Sequence, residues 1–268
     1  MSSVNPVHDA DTQSTQSLQS SPAAVLLEAK GVGQRFGNFQ ALNNISVQFR
    51  AKELCAIIGP NGAGKSTFFN VLSGTFSPTS GQVLFGGQDI TRLPAHAYAR
   101  VGIAKSFQIT NVFKQLSAHE NVRVAVQMRH SRFNIWQSRA RMHALIDRAD
   151  QLLQRVGLQD LRNKTAADLA HGQQRALEVA MALAAEPQLL LMDEPTAGMS
   201  PEETGVMMDL ISTLAAERTV ILVEHKMKLV MGICKRLIVL HHGEFLAEGT
   251  PDEIRANSEV RRVYLGQS

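Results

Sequence analysis

Apolar residues recur along the chain at two spacings, one typical of buried strands and one typical of amphipathic helices. Continuous apolar runs at residues 54–58, 189–192 and 219–223 predict buried strands. A helical stripe of apolar positions covers residues 140–156, and further helices are expected over residues 65–72, 174–185 and 202–217. Strands that alternate with helices in this way predict an α/β fold around a mainly parallel sheet.

The N-terminal part of the chain has a different character. Residues 1–24 are rich in Ser, Gln, Asn and Asp, which predicts a disordered tail. The tail has neither a Lys/Arg start nor an apolar block, so it does not resemble a secretory signal. Short strands are expected over residues 25–30, 45–49 and 82–87, the first two around the turn-prone pair Gly37 and Asn38.

Composition and charge exclude few classes of protein or partner. The 268 residues are 44% hydrophobic and 19% charged, which suits one substantial soluble core. The net charge of +3 is too small to choose among anionic partners. The longest apolar runs fall short of the roughly 18 residues of a membrane-spanning helix. Arginines crowd the helical segment at residues 116–155, where we expect a solvated basic face, and contact with lipid headgroups or nucleic acid stays open: Arg123, Arg129, Arg132, Arg139, Arg141, Arg148 and Arg155.

Residues 59–67 match the pattern G-x-x-x-x-G-K-[ST] between a predicted strand and a predicted helix. Glycines let backbone N–H groups turn inward onto phosphate oxygens, and the helix start adds its positive dipole end. Lys65 would place a charge on the β- and γ-phosphates, and the Ser66 hydroxyl would bind Mg²⁺. The pattern predicts an ATP–Mg²⁺ site formed by Gly59, Pro60, Asn61, Gly62, Ala63, Gly64, Lys65, Ser66 and Thr67.

A second acidic element follows the apolar run at residues 189–192. Asp193 and Glu194 come at the carboxyl end of a predicted buried strand, where ligands bind in parallel sheets. Asp193 would hold Mg²⁺ directly or through water, and Glu194 would act as general base on the attacking water. The element is a weak signal by itself, but together with the glycine-rich phosphate loop (P-loop) at residues 59–67 it predicts hydrolysis of ATP.

These motifs resemble those of the nucleotide-binding subunits of ABC transporters, over about residues 25–266. The resemblance implies one ABC ATPase domain at residues 25–268. It would be a P-loop NTPase (RecA-like) core with an antiparallel β subdomain and a helical subdomain at about residues 109–172.

The resemblance also implies further site residues. Gln108 is similar to the Q-loop glutamine near Mg²⁺, and His225 to the switch histidine at the γ-phosphate; with Lys65 and Glu194 they would be the catalytic residues. Phe36 matches the aromatic residue that stacks on adenine. The segment at residues 169–175 resembles the signature motif, which places Ala170, Gly172 and Gln173 near the nucleotide.

Two positions depart from the commonest family pattern. Ala170 lacks the signature hydroxyl that would donate to the γ-phosphate of the opposing subunit, although N–H groups near Gly172 can still face that phosphate. A hydrogen bond to a charged group is worth roughly 1.5–3 kcal/mol, so we expect weaker ATP-driven closure. Ser200 stands where many members carry an aspartate, which alters the expected contacts between subunits.

Within the family, residues 102–108, 197–201, 224–231 and 249–266 resemble the ATPases of high-affinity branched-chain amino acid importers. The resemblance implies two cassettes head to tail, with each ATP between one P-loop and the other signature. The expected partners are integral-membrane permeases, a second ABC ATPase chain in a homo- or heterodimer, and indirectly a solute-binding protein. The expected location is the cytoplasmic face of the bacterial inner membrane, as a peripheral subunit.

Three alternatives stay open to different degrees. A soluble ABC ATPase of DNA repair or translation usually carries a long coiled coil or two cassettes; this sequence has neither, so no nucleic acid partner is expected. An ATPase for lipopolysaccharide or lipid export would share every nucleotide motif. A cassette that binds ATP without hydrolysing it is opposed by the intact residues Lys65, Asp193, Glu194 and His225, while Ala170 keeps it open.

Overall fold

Within residues 24–106, 112–130 and 139–264, which are the residues that the computed structural model describes, the chain forms two β-sheets with helices packed around the larger sheet. The first half contains β1 (Val25–Phe36), β2 (Phe39–Arg50), β3 (Leu54–Ile58), α1 (Lys65–Leu72), β4 (Ser80–Phe85), β5 (Gln88–Asp89), α2 (Ala95–Val101), β6 (Ile103–Ser106) and α3 (Ala118–His130). The second half contains α4 (Arg139–Arg155), α5 (His171–Leu183), β7 (Leu189–Asp193), α6 (Pro201–Ala215), β8 (Thr219–Val223), α7 (Met227–Ile233), β9 (Arg236–His241), β10 (Glu244–Gly249), α8 (Pro251–Ala256) and α9 (Ser258–Val263). The predicted N-terminal tail lies outside the described residues, apart from Ala24.

The smaller sheet is antiparallel, with strand order β2-β1-β4-β5. β1 and β2 form a hairpin whose turn is at Gly37 and Asn38, as the sequence predicted. Both strands are longer than expected, at 12 residues each. The predicted boundaries were wrong because polar side chains occupy the exposed face of these strands and break the apolar runs.

The larger sheet has the strand order β10-β9-β3-β8-β7-β6. β9, β3, β8, β7 and β6 run parallel, and β10 pairs antiparallel at one edge. Every residue of β3, β7 and β8 is buried, which confirms the three strands predicted from apolar runs. Because the carboxyl ends of the parallel strands share one edge, the segments after β3, β7 and β8 lie side by side there.

α3 and α4 form a helical lobe between β6 and α5. Leu145, Ala149 and Leu152 of α4 belong to the same buried cluster as Leu177 of α5, so the predicted amphipathic stripe is confirmed. The predicted limits of the helical subdomain, residues 109–172, stay a prediction. Among the helices of the described residues, none combines the length and apolar character that crossing a bilayer requires.

Two of the arginines in the helical segment join this lobe to the core. Arg148 forms an ion pair with Glu186 at 3.1 Å, and Arg155 pairs with Glu217 beside a cavity of about 300 Å³. These pairs are partly exposed and contribute little to stability, about 0–1 kcal/mol each. The side chains of residues 129–141 lie outside the described part of the chain.

Candidate nucleotide site

The glycine-rich loop begins where β3 ends and closes at the first residue of α1. Gly59 has a φ of +149°, and a Cβ there would stand 2.2 Å from the carbonyl oxygen of Leu240 in β9. Any other residue at position 59 would therefore push the loop away from the sheet edge. Asn61 and Ser66 are exposed at the mouth of the loop, and the Ala63 side chain is buried beneath it. The predicted context of strand, loop and helix is confirmed.

Lys65 is folded back over this loop. Its Nζ donates to the carbonyl oxygens of Gly59 and Pro60, each at 2.9 Å. Burial lowers the pKa of Lys65, while the charges of Glu194 and Asp193 oppose that shift. The two carbonyls are neutral acceptors, so they stabilise the Lys65 ammonium group less than an anion would. A phosphate group in the loop would supply that anion.

Asp193 ends β7 on the same sheet edge. Burial raises the pKa of the Asp193 carboxyl, and so does the neighbouring charge of Glu194; Lys105, Arg175 and Lys65 oppose them. A buried carboxylate beside a second carboxylate is stabilised by a cation. Mg²⁺ is usually held by one or two protein oxygens together with phosphate oxygens and water, which fits Asp193 and the Ser66 hydroxyl.

Glu194 has an unusual backbone. Its φ is +45°, a left-handed conformation that costs of order 1–3 kcal/mol for a non-glycine residue. The Glu194 N–H donates to the carbonyl oxygen of Val223 at 2.8 Å, so neighbouring β8 holds this turn in place. The His225 side chain, 51% exposed, has its Nδ1 3.6 Å from Glu194 Oε1. The structure thus brings the two residues together at the ends of β7 and β8.

Glu224 is a site residue that the sequence analysis missed. Its side chain is fully buried and accepts hydrogen bonds from the Thr196 hydroxyl and from the N–H groups of His225 (2.9 Å) and Lys226 (3.1 Å). Lys226 Nζ in turn donates to the Thr196 carbonyl oxygen at 3.0 Å. The segment after Glu194 and the segment that carries His225 are therefore tied together by one buried carboxylate.

Lys105 was also missed, although it lies three residues before Gln108. Its Nζ donates to Asn70 Oδ1 at 2.6 Å and lies 5.0 Å from the centre of the Phe69 ring, so the ammonium group is anchored on α1. Its charge opposes the effect of burial, which raises the pKa of Asp193. A lysine within an apolar strand was the available signal.

The remaining predicted residues are placed as follows. Phe36 is half-exposed at the end of β1, and its ring meets that of Phe76 in a T-shaped contact, with the ring centres 5.6 Å apart. Ala170, Gly172 and Gln173 lie at the start of α5, where Ala170 is exposed and the other two are half-buried. Gln108 lies outside the described residues.

α5 begins at His171, three residues before the predicted start at residue 174. Ala170 is the N-cap residue and has no side-chain acceptor for the first N–H groups of the helix. Gln173 Oε1 accepts from the Ala170 N–H at 3.0 Å, and Glu203 Oε1 of α6 accepts from the Gly172 N–H at 3.0 Å. The prediction was wrong because Glu203, from another helix, stabilises this start.

The fold and the arranged loop, lysine and carboxylates define an ATPase of the P-loop class. Comparison with known families is more specific, because the ABC transporter family matches residues 42–197. The chain belongs to the ABC transporter family, as one of its ATP-binding subunits. Residues 246–268 also match a segment described as branched-chain amino acid ATP-binding cassette transporter.

Curated relatives agree with this assignment. The chain is 41% identical to the high-affinity branched-chain amino acid transport ATP-binding protein LivG of Salmonella typhimurium, over 91% of this chain and 98% of the relative. It is 40% identical to the corresponding protein BraF of Pseudomonas aeruginosa, over the same shares of each chain. It is 31% identical to the lipopolysaccharide export system ATP-binding protein LptB of Escherichia coli, over 90% and 97%.

Solved structures share the fold. The ADP conformation of MJ1267, an ATP-binding cassette of an ABC transporter, matches with a TM-score of 0.79 and 25% identity, over 91% of this chain and all of that one. The dimeric post-hydrolysis state of the cassette MJ0796, bound to ADP and Pi, matches with a TM-score of 0.72 and 26% identity, over 84% and 99%. The expected core with antiparallel and helical additions is confirmed.

Proposed function

We propose that this chain hydrolyses ATP to drive uptake of branched-chain or related hydrophobic amino acids through partner permeases. The observation that supports this choice most is the match of residues 246–268 to the branched-chain amino acid cassette segment. Identity of 40–41% with LivG and BraF over 91% of the chain points the same way. The proposed location is the cytoplasmic face of the bacterial inner membrane, with a solute-binding protein as indirect partner.

The phosphate end of ATP would lie on the loop at residues 59–67. Lys65 would turn from its two carbonyl partners to the β- and γ-phosphates, and the loop N–H groups would close on the phosphate oxygens. The adenine would stack on the half-exposed ring of Phe36. Mg²⁺ would be held by Ser66 and Asp193, with Gln108 near it, and would offset the charge of the phosphates.

Hydrolysis is proposed to depend on Glu194 as the general base. Its left-handed backbone and the hydrogen bond to Val223 hold the turn that carries its partly exposed carboxylate. His225, 3.6 Å from that carboxylate, would contact the γ-phosphate. The pair stands at the sheet edge beside the phosphate loop, which supports in-line attack of a water that Glu194 orients.

We propose that two cassettes close head to tail, with the signature segment of one facing the ATP of the other. The exposed Ala170 and the half-buried Gly172 and Gln173 lie at the start of α5, where N–H groups and the helix dipole attract an anion. Closing and opening would be the two-state motion that the permeases follow. The second cassette is either a copy of this chain or a different ABC ATPase.

The proposal is tested by purifying the tagged chain from gently solubilised native membranes and identifying its partners by mass spectrometry. Two polytopic permeases, with or without a second ATPase, support the importer. A matched strain that lacks this chain should lose leucine uptake and regain it with the wild-type chain, but not with Glu194→Gln.

A second candidate is lipopolysaccharide export, favoured by the 31% identity with LptB. Co-purification with an export permease and unchanged leucine uptake in the deletion strain would support it. Recovery with ribosomes or nucleic acid would instead remove transport while leaving the ATPase chemistry in place.

A further inference from the structure

One of the first N–H groups of α5, that of Gly172, donates to a carboxylate from a different helix. The N-cap residue Ala170 offers no side-chain acceptor, and the Gly172 N–H donates to Glu203 Oε1 at 3.0 Å. Gly172 permits this approach, since a Cβ on it would stand 2.8 Å from that oxygen. An anion therefore already sits on the surface that the proposed function assigns to a phosphate.

The Glu203 carboxylate is held in position by its own helix. Its Oε2 accepts from the Ser200 N–H at 3.1 Å, and the Ser200 hydroxyl accepts from the Glu203 N–H at 3.2 Å, which is a capping box at the start of α6. These contacts leave Oε1 for Gly172. Hydrogen bonds from Ser200 and Gly172 lower the pKa of Glu203, so the group is ionised at neutral pH.

A second contact joins the same two segments. His171 Nε2 lies 3.0 Å from the Ala197 carbonyl oxygen, one turn before α6. The start of α5 is thus braced against residues 197–203 at two points. Of the two, only the Glu203 contact uses an N–H that points out of the helix start toward an anion.

We propose that the Glu203 carboxylate competes with the γ-phosphate of the opposing ATP for the Gly172 N–H, and so sets the ATP concentration at which two cassettes close. The inference rests on the proposed function, because only head-to-tail pairing brings a phosphate to this surface. A carboxylate and a phosphate cannot share one N–H without repulsion, so Glu203 has to move before the cassettes close. Glu203 is a positioning residue, since it does not touch the reacting atoms.

A purely structural role for Glu203 makes the opposite prediction. If the carboxylate only holds the signature segment in its closed-state shape, its removal should raise the ATP concentration needed for pairing. If it competes with phosphate, its removal should lower that concentration even though the loss of the capping box reduces stability.

The test uses the full chain with Glu194→Gln to prevent turnover, and compares Glu203→Ala, Glu203→Gln and Glu202→Gln in that background. Association is followed by analytical ultracentrifugation during an ATP titration. We expect the midpoint to fall about tenfold for Glu203→Ala, in line with one hydrogen bond to a charged group. For Glu203→Gln, which keeps an acceptor without the charge, the midpoint should fall by a smaller factor.

Glu202→Gln is the matched control, since it removes the same charge one residue away. Glu202 is exposed, and its Oε2 accepts from the Ser200 hydroxyl at 2.9 Å. It should leave the midpoint unchanged. An equal shift in Glu202→Gln and Glu203→Gln would mean that the effect comes from net charge alone, and would overturn the proposal.

A midpoint that stays constant or rises in both Glu203 variants overturns the proposal, as does a lack of ATP-driven pairing in all of them. Should Glu203→Ala fail to fold, Glu203→Gln decides, because its amide oxygen can still accept from the Ser200 N–H. Equilibrium dialysis of ATP on the same proteins distinguishes a failure of the proposed function from a failure of the role of Glu203. Absent ATP binding counts against the proposed function, whereas normal binding with unchanged pairing removes only the role of Glu203.

Discussion

The P-loop surface and the signature surface of this chain differ in how well their phosphate-seeking groups are satisfied within the chain. At the P-loop, Lys65 is held by two neutral carbonyls while burial lowers its pKa. At the start of α5, the Gly172 N–H already has an ionised partner in Glu203. The first surface is therefore ready for an anion, and the second has to exchange one anion for another.

This difference assigns the two surfaces separate tasks. A site whose charges lack good partners gains the most when a ligand supplies them, so the P-loop surface favours binding to a single chain. The signature surface has to release an internal carboxylate before it binds a phosphate. It therefore gains only the difference in free energy between two similar contacts. Tight nucleotide binding and reluctant pairing would then coexist in one molecule.

The largest expected effect comes from Glu194→Gln, which removes the general base and leaves the shape of the P-loop surface. We expect the hydrolysis rate to fall by about 10²–10⁴-fold, because a positioned base contributes that much. Phosphate release and ATP binding are measured on the same preparation, with binding retained. Hydrolysis at the normal rate would remove Glu194 from its assigned role.

Lys65→Ala acts on binding itself. Loss of charge-assisted contacts worth roughly 1.5–3 kcal/mol should weaken ATP affinity by about 10- to 100-fold, while the start of α5 is untouched. Lys30→Ala is a suitable control, since Lys30 pairs with Glu28 on the small sheet and is half-exposed. Affinity is measured by equilibrium dialysis, and an unchanged value for Lys65→Ala would contradict the P-loop assignment.

Thr196→Val tests how Glu224 ties the segment after Glu194 to the segment that carries His225. Thr196 is fully buried, and its hydroxyl donates to the buried Glu224 carboxylate, so valine leaves one oxygen without that donor. We expect the free energy of unfolding to fall by about 1–3 kcal/mol in a urea titration. Thr213→Val, at an exposed helical position, should change it by less than about 0.5 kcal/mol. Equal losses in the two variants would mean that the hydrogen bond from Thr196 to Glu224 makes no special contribution to stability.

The two surfaces also differ in how far they could be predicted from the sequence. The P-loop is contiguous in the chain, and the apolar runs of β3, β7 and β8 placed it, Asp193 and Glu194 at one sheet edge. The contact of Glu203 with Gly172 joins residues 31 positions apart on two helices, so no local pattern in the sequence predicts it. Glu224 was overlooked because an acidic residue before His225 predicts a solvent-exposed strand end, whereas the loop folds over it.

The smallest effect is expected from Ala170→Ser, which gives α5 the N-cap acceptor that it lacks. A serine hydroxyl there can accept from the Gln173 N–H and should raise the free energy of unfolding by about 0.5–2 kcal/mol. The contact of Glu203 with Gly172 should persist, because the two acceptors serve different N–H groups. The same hydroxyl can donate to an opposing phosphate, so pairing should need a few-fold less ATP in the Glu194→Gln background.

Ala216→Ser, at the exposed C-terminal end of α6, is the control for Ala170→Ser, because the serine there adds a hydroxyl without an N-terminal N–H to serve. Stability is measured by urea titration and pairing by ultracentrifugation. Equal changes in both serine variants would mean that the hydroxyl acts without capping α5. A stabilised α5 with unchanged pairing would mean that Glu203, and not the missing hydroxyl, is what limits closure at this surface.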